Sequence, residues 1–130
     1  GVDLEQIEDL GYENVETIKA DMTDPKSKKI ILDKIQGSAD VVISDASPNI
    51  TGTWDIDHAR SMELCKHALE IAKSVLRQDG SFLAKAFQGE FFRDFLKDVG
   101  KSFEFHKASK PKASREKSAE TYVVGKGYIG

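Results

Sequence analysis

The amino-acid sequence predicts an α/β fold with a mostly parallel sheet that ends in an antiparallel hairpin. Three observations predict it. Short apolar runs alternate with longer stretches in which apolar residues recur every three or four positions, the pattern of strands alternating with amphipathic helices. The run "ADVVIS" is nearly all apolar, as expected of a strand covered on both faces. The last two strand-like runs, "FEFHKAS" and "ETYVVGKGY", are separated by a basic loop with no helical pattern, and so pair antiparallel.

Taken in order, the chain opens with little room for a strand before Asp3. "VETIKAD" (Val15 to Asp21) then reads as a strand. A helix follows across "DPKSKKIILDKIQG", with Asp24 as N-cap and Pro25 at the first helical position. "ADVVISD" is the next strand. A long helix runs from about Asp57 to Arg77, because Met62, Cys65, Leu69, Ala72 and Leu76 make one stripe at three- and four-residue spacing. Asp79-Gly80 should stop it, with Gly80 as a left-handed cap. "SFLAKAF" is a strand and "GEFFRDFLKDVGKSF" a helix. No repeat or low-complexity segment interrupts the pattern.

A chain of 130 residues with 39% hydrophobic content suits one domain with a modest core. The formal net charge of −3 excludes binding to nucleic acid by bulk charge. The charge is uneven, however. Residues 1–24 hold eight acids against one lysine, whereas "KASKPKASREK" (Lys107 to Lys117) holds five basic residues and one acid. Such a segment can contact phosphate, or serve as a solvated loop. One cysteine, Cys65, excludes an intrachain disulfide or a cysteine metal site, and the three histidines form no ligand-like cluster. With no apolar run of about 20 residues and no signal peptide, the expectation is a cytoplasmic protein without a membrane anchor or a metal.

Ligands of an open parallel sheet bind beyond the carboxyl ends of its strands. Asp3, Asp21, Asp24 and Asp45 lie at or beside such ends. Each has a simpler use as a cap or turn acceptor, and Asp24 fits the cap best. The other three share one address in the fold. Lys85 is sharper: inside "SFLAKAFQG" it must snorkel, pair with a carboxylate or lose its proton. Glu120 opens the last strand and could face the same crevice, or be an exposed edge residue. There is no Gly-rich phosphate loop and no Ser-His-Asp arrangement. An acid–base group without a protein nucleophile suits a reaction in which the substrate attacks and a cofactor supplies the transferred group.

"VVISDASPNITG", "GSFLAKAFQGEFF" and "SKPKASREKSAETYVVGKG", in that order and separation, resemble the FtsJ-like (RrmJ) family of ribose 2′-O-methyltransferases over nearly the whole chain. The resemblance implies a Rossmann-like, S-adenosylmethionine (SAM)-dependent methyltransferase fold. It also implies a Lys-Asp-Lys-Glu tetrad, of which Asp45, Lys85 and Glu120 carry over as catalytic residues. It suggests Asp3 near the SAM ribose, Asp21 and Met22 at the adenine, and Asp45 close to the methionine part. The first tetrad lysine and the Gly-rich loop would belong to a segment preceding Gly1. Residues 1–130 are therefore expected to be the C-terminal two-thirds of a single methyltransferase domain.

The implied substrate is RNA, since only RNA has the 2′-hydroxyl. Lys107, Lys110, Lys112 and Arg115 are phosphate candidates, and Trp54 could stack on a base or pack on its own domain. Large-subunit ribosomal RNA, at a uridine ribose, is the favoured target. Transfer RNA is the alternative, and a non-catalytic RNA-binding relative a third reading. DNA and membranes are not expected partners.

Overall fold

The computed structural model describes residues 1–8, 11–35, 38–109 and 120–130. They divide into two compact units, Gly1–Gln36 and Gly37–Gly130.

In the first unit, β1 (Val2–Asp3) pairs parallel with β2 (Ile18–Lys19), Val2 opposite Ile18 and Asp3 opposite Lys19. The strand expected over Val15 to Asp21 is thus only two residues long. Its flanks are spent on turns: Val15 N–H donates to the Tyr12 carbonyl, and Asp21 takes up Thr23. Helix α1 (Pro25–Ile35) starts as expected. Asp24 Oδ1 accepts the Lys26 N–H at 2.9 Å, and Pro25 stands where a missing N–H costs nothing.

In the second unit, β3 (Ala39–Ser44), β4 (Leu76–Phe87), β5 (Phe103–Ser109) and β6 (Glu120–Tyr128) form a mixed sheet in the order β3-β4-β6-β5. β3 and β4 run parallel, and β6 is antiparallel to both neighbours. The C-terminal hairpin is therefore present, with its second strand inserted between β4 and β5.

Helix α2 (Trp54–Val75) joins β3 to β4, and α3 (Phe92–Ser102) joins β4 to β5. The predicted stripe of α2 is buried at every position: Met62, Cys65, Leu69, Ala72 and, just past the helix, Leu76. It meets Phe82, Ala84 and Ala86, alternate residues of β4. Phe95 and Val99 of α3 complete this core with Phe103 and Val123. The Phe82 and Phe103 rings stack at 6.1 Å. Each buried phenylalanine contributes roughly 1.5–3 kcal/mol by its removal from water. Tyr128 Oη ties the end of α2 by donating to the Lys73 carbonyl at 2.9 Å.

Three sequence expectations need correction here. Helix α2 begins at Trp54, one turn before Asp57, with Asp55 and Asp57 placed well for its dipole. It ends at Val75, and the left-handed residue of the following turn is Asp79 (φ 67°), not Gly80. Gly80 is required by close approach instead, since a Cβ there would stand 2.9 Å from the Arg77 carbonyl oxygen and 3.1 Å from that of Asp40. Finally, β3 is apolar without being covered on both sides: Val41 and Ile43 are 53% and 67% exposed.

Candidate active site

β3 and β4 are in parallel register from Val41 opposite Ser81 to Ser44 opposite Ala84. One residue further, Asp45 leaves β3 level with Lys85. Side chains alternate across a strand, so both turn away from the face that buries Ala84. On the other side of β4, Lys85 is opposite Tyr122 and Phe87 opposite Glu120. Asp45, Lys85 and Glu120 thus converge from three adjacent strands.

Lys85 Nζ lies 3.0 Å from Asp45 Oδ1 and 3.8 Å from Glu120 Oε1. The lysine side chain is 14% exposed, Asp45 71% and Glu120 44%. The aliphatic stem is sheltered while the charged end meets carboxylates that water also reaches. Desolvation is the largest single influence on Lys85 and pulls its pKa down. The hydrogen bond and charge of Asp45, then the charges of Glu120 and Tyr122, outweigh it and raise the pKa above the ordinary lysine value. Lys85 is therefore an ammonium at neutral pH. Ion pairs this open to solvent are worth about 1 kcal/mol or less in stability. Their consequence is positional: one cation is held at the end of a strand by two anions.

Asp57, not among the site residues expected from sequence, orders the loop that enters α2. Its carboxylate accepts the Thr51 N–H at 2.9 Å, the Thr51 hydroxyl at 2.8 Å and the Gly52 N–H at 3.1 Å. The Thr51 N–H does most to lower its pKa, desolvation opposes it, and the Thr51 hydroxyl, Gly52 N–H and Arg60 charge complete the lowering. The signal was "TGTWDID": two acids in the first turn of a helix, one of which reaches back over a glycine loop.

The remaining expected site residues lie on other elements. Asp3 and Asp21 belong to the first unit, at the carboxyl ends of β1 and β2. Asp3 Oδ1 accepts the Glu5 N–H at 3.1 Å. Asp21 Oδ1 accepts the Thr23 N–H at 2.9 Å and the Thr23 hydroxyl at 2.7 Å. Carboxylates at strand ends are the kind of group that can accept hydrogen bonds from a nucleoside cofactor. Met22 beside Asp21 is half-buried. Trp54 opens α2 with its ring exposed, so it is not packed into the core. Lys107 is exposed on β5, whereas Lys110, Lys112 and Arg115 lie outside the described residues.

A mixed sheet with helix connections, carrying one lysine-centred ionic cluster, defines an α/β protein with a candidate acid–base site. The chain belongs to the FtsJ-like methyltransferase family, whose model matches residues 1–128. It is 48% identical over 130 residues to ribosomal RNA large subunit methyltransferase E of Methanococcus vannielii, covering all of this chain and 50% of that protein. It is 52% identical over 126 residues to the protein of that name from Methanothrix thermoacetophila, covering 97% of this chain and 49% of the relative. The chain thus spans about half the length of the curated relatives it matches. Among solved structures, a ribosomal RNA methyltransferase from Plasmodium falciparum superposes over the whole chain and 71% of its own, with a TM-score of 0.86 at 20% identity. At that identity the likeness establishes the fold.

Proposed function

We propose that residues 1–130 form the C-terminal two-thirds of a single SAM-dependent methyltransferase domain. Its reaction is methyl transfer to a ribose 2′-hydroxyl of RNA, with large-subunit ribosomal RNA as the favoured substrate and the cytoplasm as the location that goes with it. The observation that carries this reading is Lys85, an ammonium at 3.0 Å from Asp45 and 3.8 Å from Glu120 at the carboxyl edge of the sheet. The relatives' names supply the substrate class.

SAM, when bound, supplies an activated methyl group; everything else falls to the chain. A ribose hydroxyl is a poor nucleophile at neutral pH, and its oxygen must be held in line with the methyl carbon at about 3–3.5 Å. Lys85 has three donor hydrogens. One is engaged by Asp45 at 3.0 Å, Glu120 at 3.8 Å acts through its charge, and another can be donated to the substrate oxygen. Because it already carries its proton, Lys85 does not act first as a base. It orients the lone pair. The hydroxyl proton released as the oxygen–methyl bond forms would pass to the carboxylate of Asp45 or Glu120. Lys85 stabilises the negative charge that the oxygen gains as that proton leaves. Asp45 and Glu120 hold the ammonium in place and keep it charged. Asp3 would accept from the cofactor's ribose, and Asp21 with Met22 would meet its adenine. Lys107, with Lys110, Lys112 and Arg115, would engage phosphates, and Trp54 offers a face to a base.

The test uses the full-length protein, radiolabelled SAM, and ribosomal and transfer RNA as separate substrates. Label should enter ribosomal RNA at a ribose, and Lys85→Ala should remove it by about 100-fold or more while SAM still binds. Label in transfer RNA alone would shift the substrate. SAM binding without any transfer would leave a non-catalytic RNA-binding relative. Turnover by Lys85→Ala near the unaltered rate would remove Lys85 from the centre of the site.

A further inference from the structure

β3 ends at Ser44, opposite Ala84, yet β4 continues to Phe87. Alternate residues of a strand present their N–H and C=O to the same edge. Among the described residues, the edge of β4 that faces away from β6 therefore has no strand to bond from Lys85 onward. Three side chains of α2 take that place. Cys65 Sγ donates to the Lys85 carbonyl at 3.2 Å. Ser61 Oγ accepts the Phe87 N–H at 3.0 Å. His58 Nδ1 lies 2.9 Å from the Phe87 carbonyl oxygen, and its Nε2 accepts the Phe91 N–H at 3.0 Å.

The spacing of 58, 61 and 65 is one helix face, so α2 lays a ladder of polar side chains along the end of β4. All three are buried. Burial also pushes the Cys65 thiol up to about 11, which keeps it a donor. The Phe91 N–H can only donate, so His58 Nε2 must be the unprotonated nitrogen, and Nδ1 carries the hydrogen given to Phe87. The neutral imidazole thus spans the turn between β4 and α3. Its ring lies parallel to that of Phe91, with centroids 5.9 Å apart and planes within 5°. A Cβ on Gly89 would clash with the imidazole of His58. That explains the glycine of "FQG" here: the backbone must pass directly over His58.

We infer that His58 is a positioning residue for the proposed methyl transfer, a substitute strand partner that fixes the end of β4 and thereby the place of Lys85 between Asp45 and Glu120. The inference rests on the catalytic reading of Lys85. A strand end bonded on one edge only can twist and fray. Lys85 has its two anionic partners on opposite neighbouring strands, so a shift of β4 lengthens one contact or the other. Displacement of a reacting group by about 1 Å can cost on the order of 100-fold in rate. His58 acts through the main chain of Phe87, whose carbonyl its Nδ1 meets at 2.9 Å.

The experiment compares full-length unaltered protein with His58→Ala, His58→Asn and His58→Gln. Readouts are kcat and KM for RNA, the dissociation constant for SAM, and thermal midpoint. Asparagine can place a donor where Nδ1 bonds the Phe87 carbonyl. Glutamine can place an acceptor where Nε2 meets Phe91. The inference expects His58→Ala to lose kcat by about tenfold or more with SAM affinity within about twofold, and His58→Asn to recover most of kcat where His58→Gln does not. A purely structural histidine would lower the thermal midpoint of all three and leave kcat per folded molecule unchanged, which overturns the inference. Should His58→Ala fail to fold, equal kcat values for His58→Asn and His58→Gln overturn it by themselves. No methyl transfer by the unaltered protein, on any RNA, refutes the catalytic reading instead, and the inference falls with it.

Discussion

Asp21 and Asp45 follow strands of similar type, at the same end of parallel pairs, and do different things. Asp21 turns inward on its own chain: its carboxylate takes the Thr23 N–H and hydroxyl, its carbonyl takes the Ser27 hydroxyl, and the chain enters α1. Asp3 likewise closes a turn on Glu5. Asp45 is instead engaged across the sheet, by a lysine forty positions along the chain. A strand-end aspartate serves its own turn unless a neighbouring strand brings a cation to it.

The comparison breaks most sharply by substitution. Asp45→Ala should lower kcat by about 100-fold, since Lys85 loses its nearer anion, while changing stability by about 1 kcal/mol or less because the pair is open to water. Methyl transfer at saturating SAM and denaturant unfolding check the two halves. A stability loss of several kcal/mol with kcat intact would make Asp45 a structural residue like Asp21.

Asp21→Ala should do the reverse. Removing its turn bonds should cost about 1 kcal/mol in stability, and SAM affinity should fall by about tenfold if one charge-assisted bond to the cofactor is lost. At saturating SAM, kcat should remain. A kcat loss as large as that of Asp45→Ala would erase the distinction.

Asp57→Asn is a smaller change at a third aspartate. It weakens the acceptor for Thr51 and Gly52 without emptying the space. Amide hydrogen exchange at those two residues should accelerate, with protection in α3 unaltered. The same loop should loosen in acid. Because the folded pKa of Asp57 is lowered, its contribution is complete above the unfolded value near pH 4 and is lost as pH falls through the folded value.

The smallest expected effect is alkaline. The folded pKa of Lys85 is raised, so what its protonated form contributes is complete below the unfolded value near 10.4 and is lost as pH rises through the folded one. Between pH 7 and 9, then, the kcat profile should show no step due to Lys85. A step there that disappears in Lys85→Arg would mean the lysine works as a neutral base.

Local pattern carried much of this. The buried stripe of α2 was legible because helical spacing alone places Met62, Cys65, Leu69 and Ala72 on one side. The α1 cap was legible because Asp24-Pro25 has few other uses. Lys85 stood out because a cation among Phe82, Leu83, Ala84, Ala86 and Phe87 must find partners. The two-residue β2, the left-handed Asp79 and the exposed Val41 and Ile43 were not legible. Strand length and coverage depend on what lies alongside, and an aspartate tolerates the left-handed region well enough to relieve the adjacent glycine of it.

By itself the sequence determined which residues want burial, where helices begin, and that one lysine needs anions. Tertiary structure decided which anions those are. It inserted β6 between β4 and β5, so that Glu120 starts opposite Phe87, and it stopped β3 one residue short of Asp45, leaving an edge that α2 bonds through His58, Ser61 and Cys65. These choices are pairings between segments far apart in the chain. They follow from strand order and register, which hydrogen bonding and core packing select together and no local run of residues specifies.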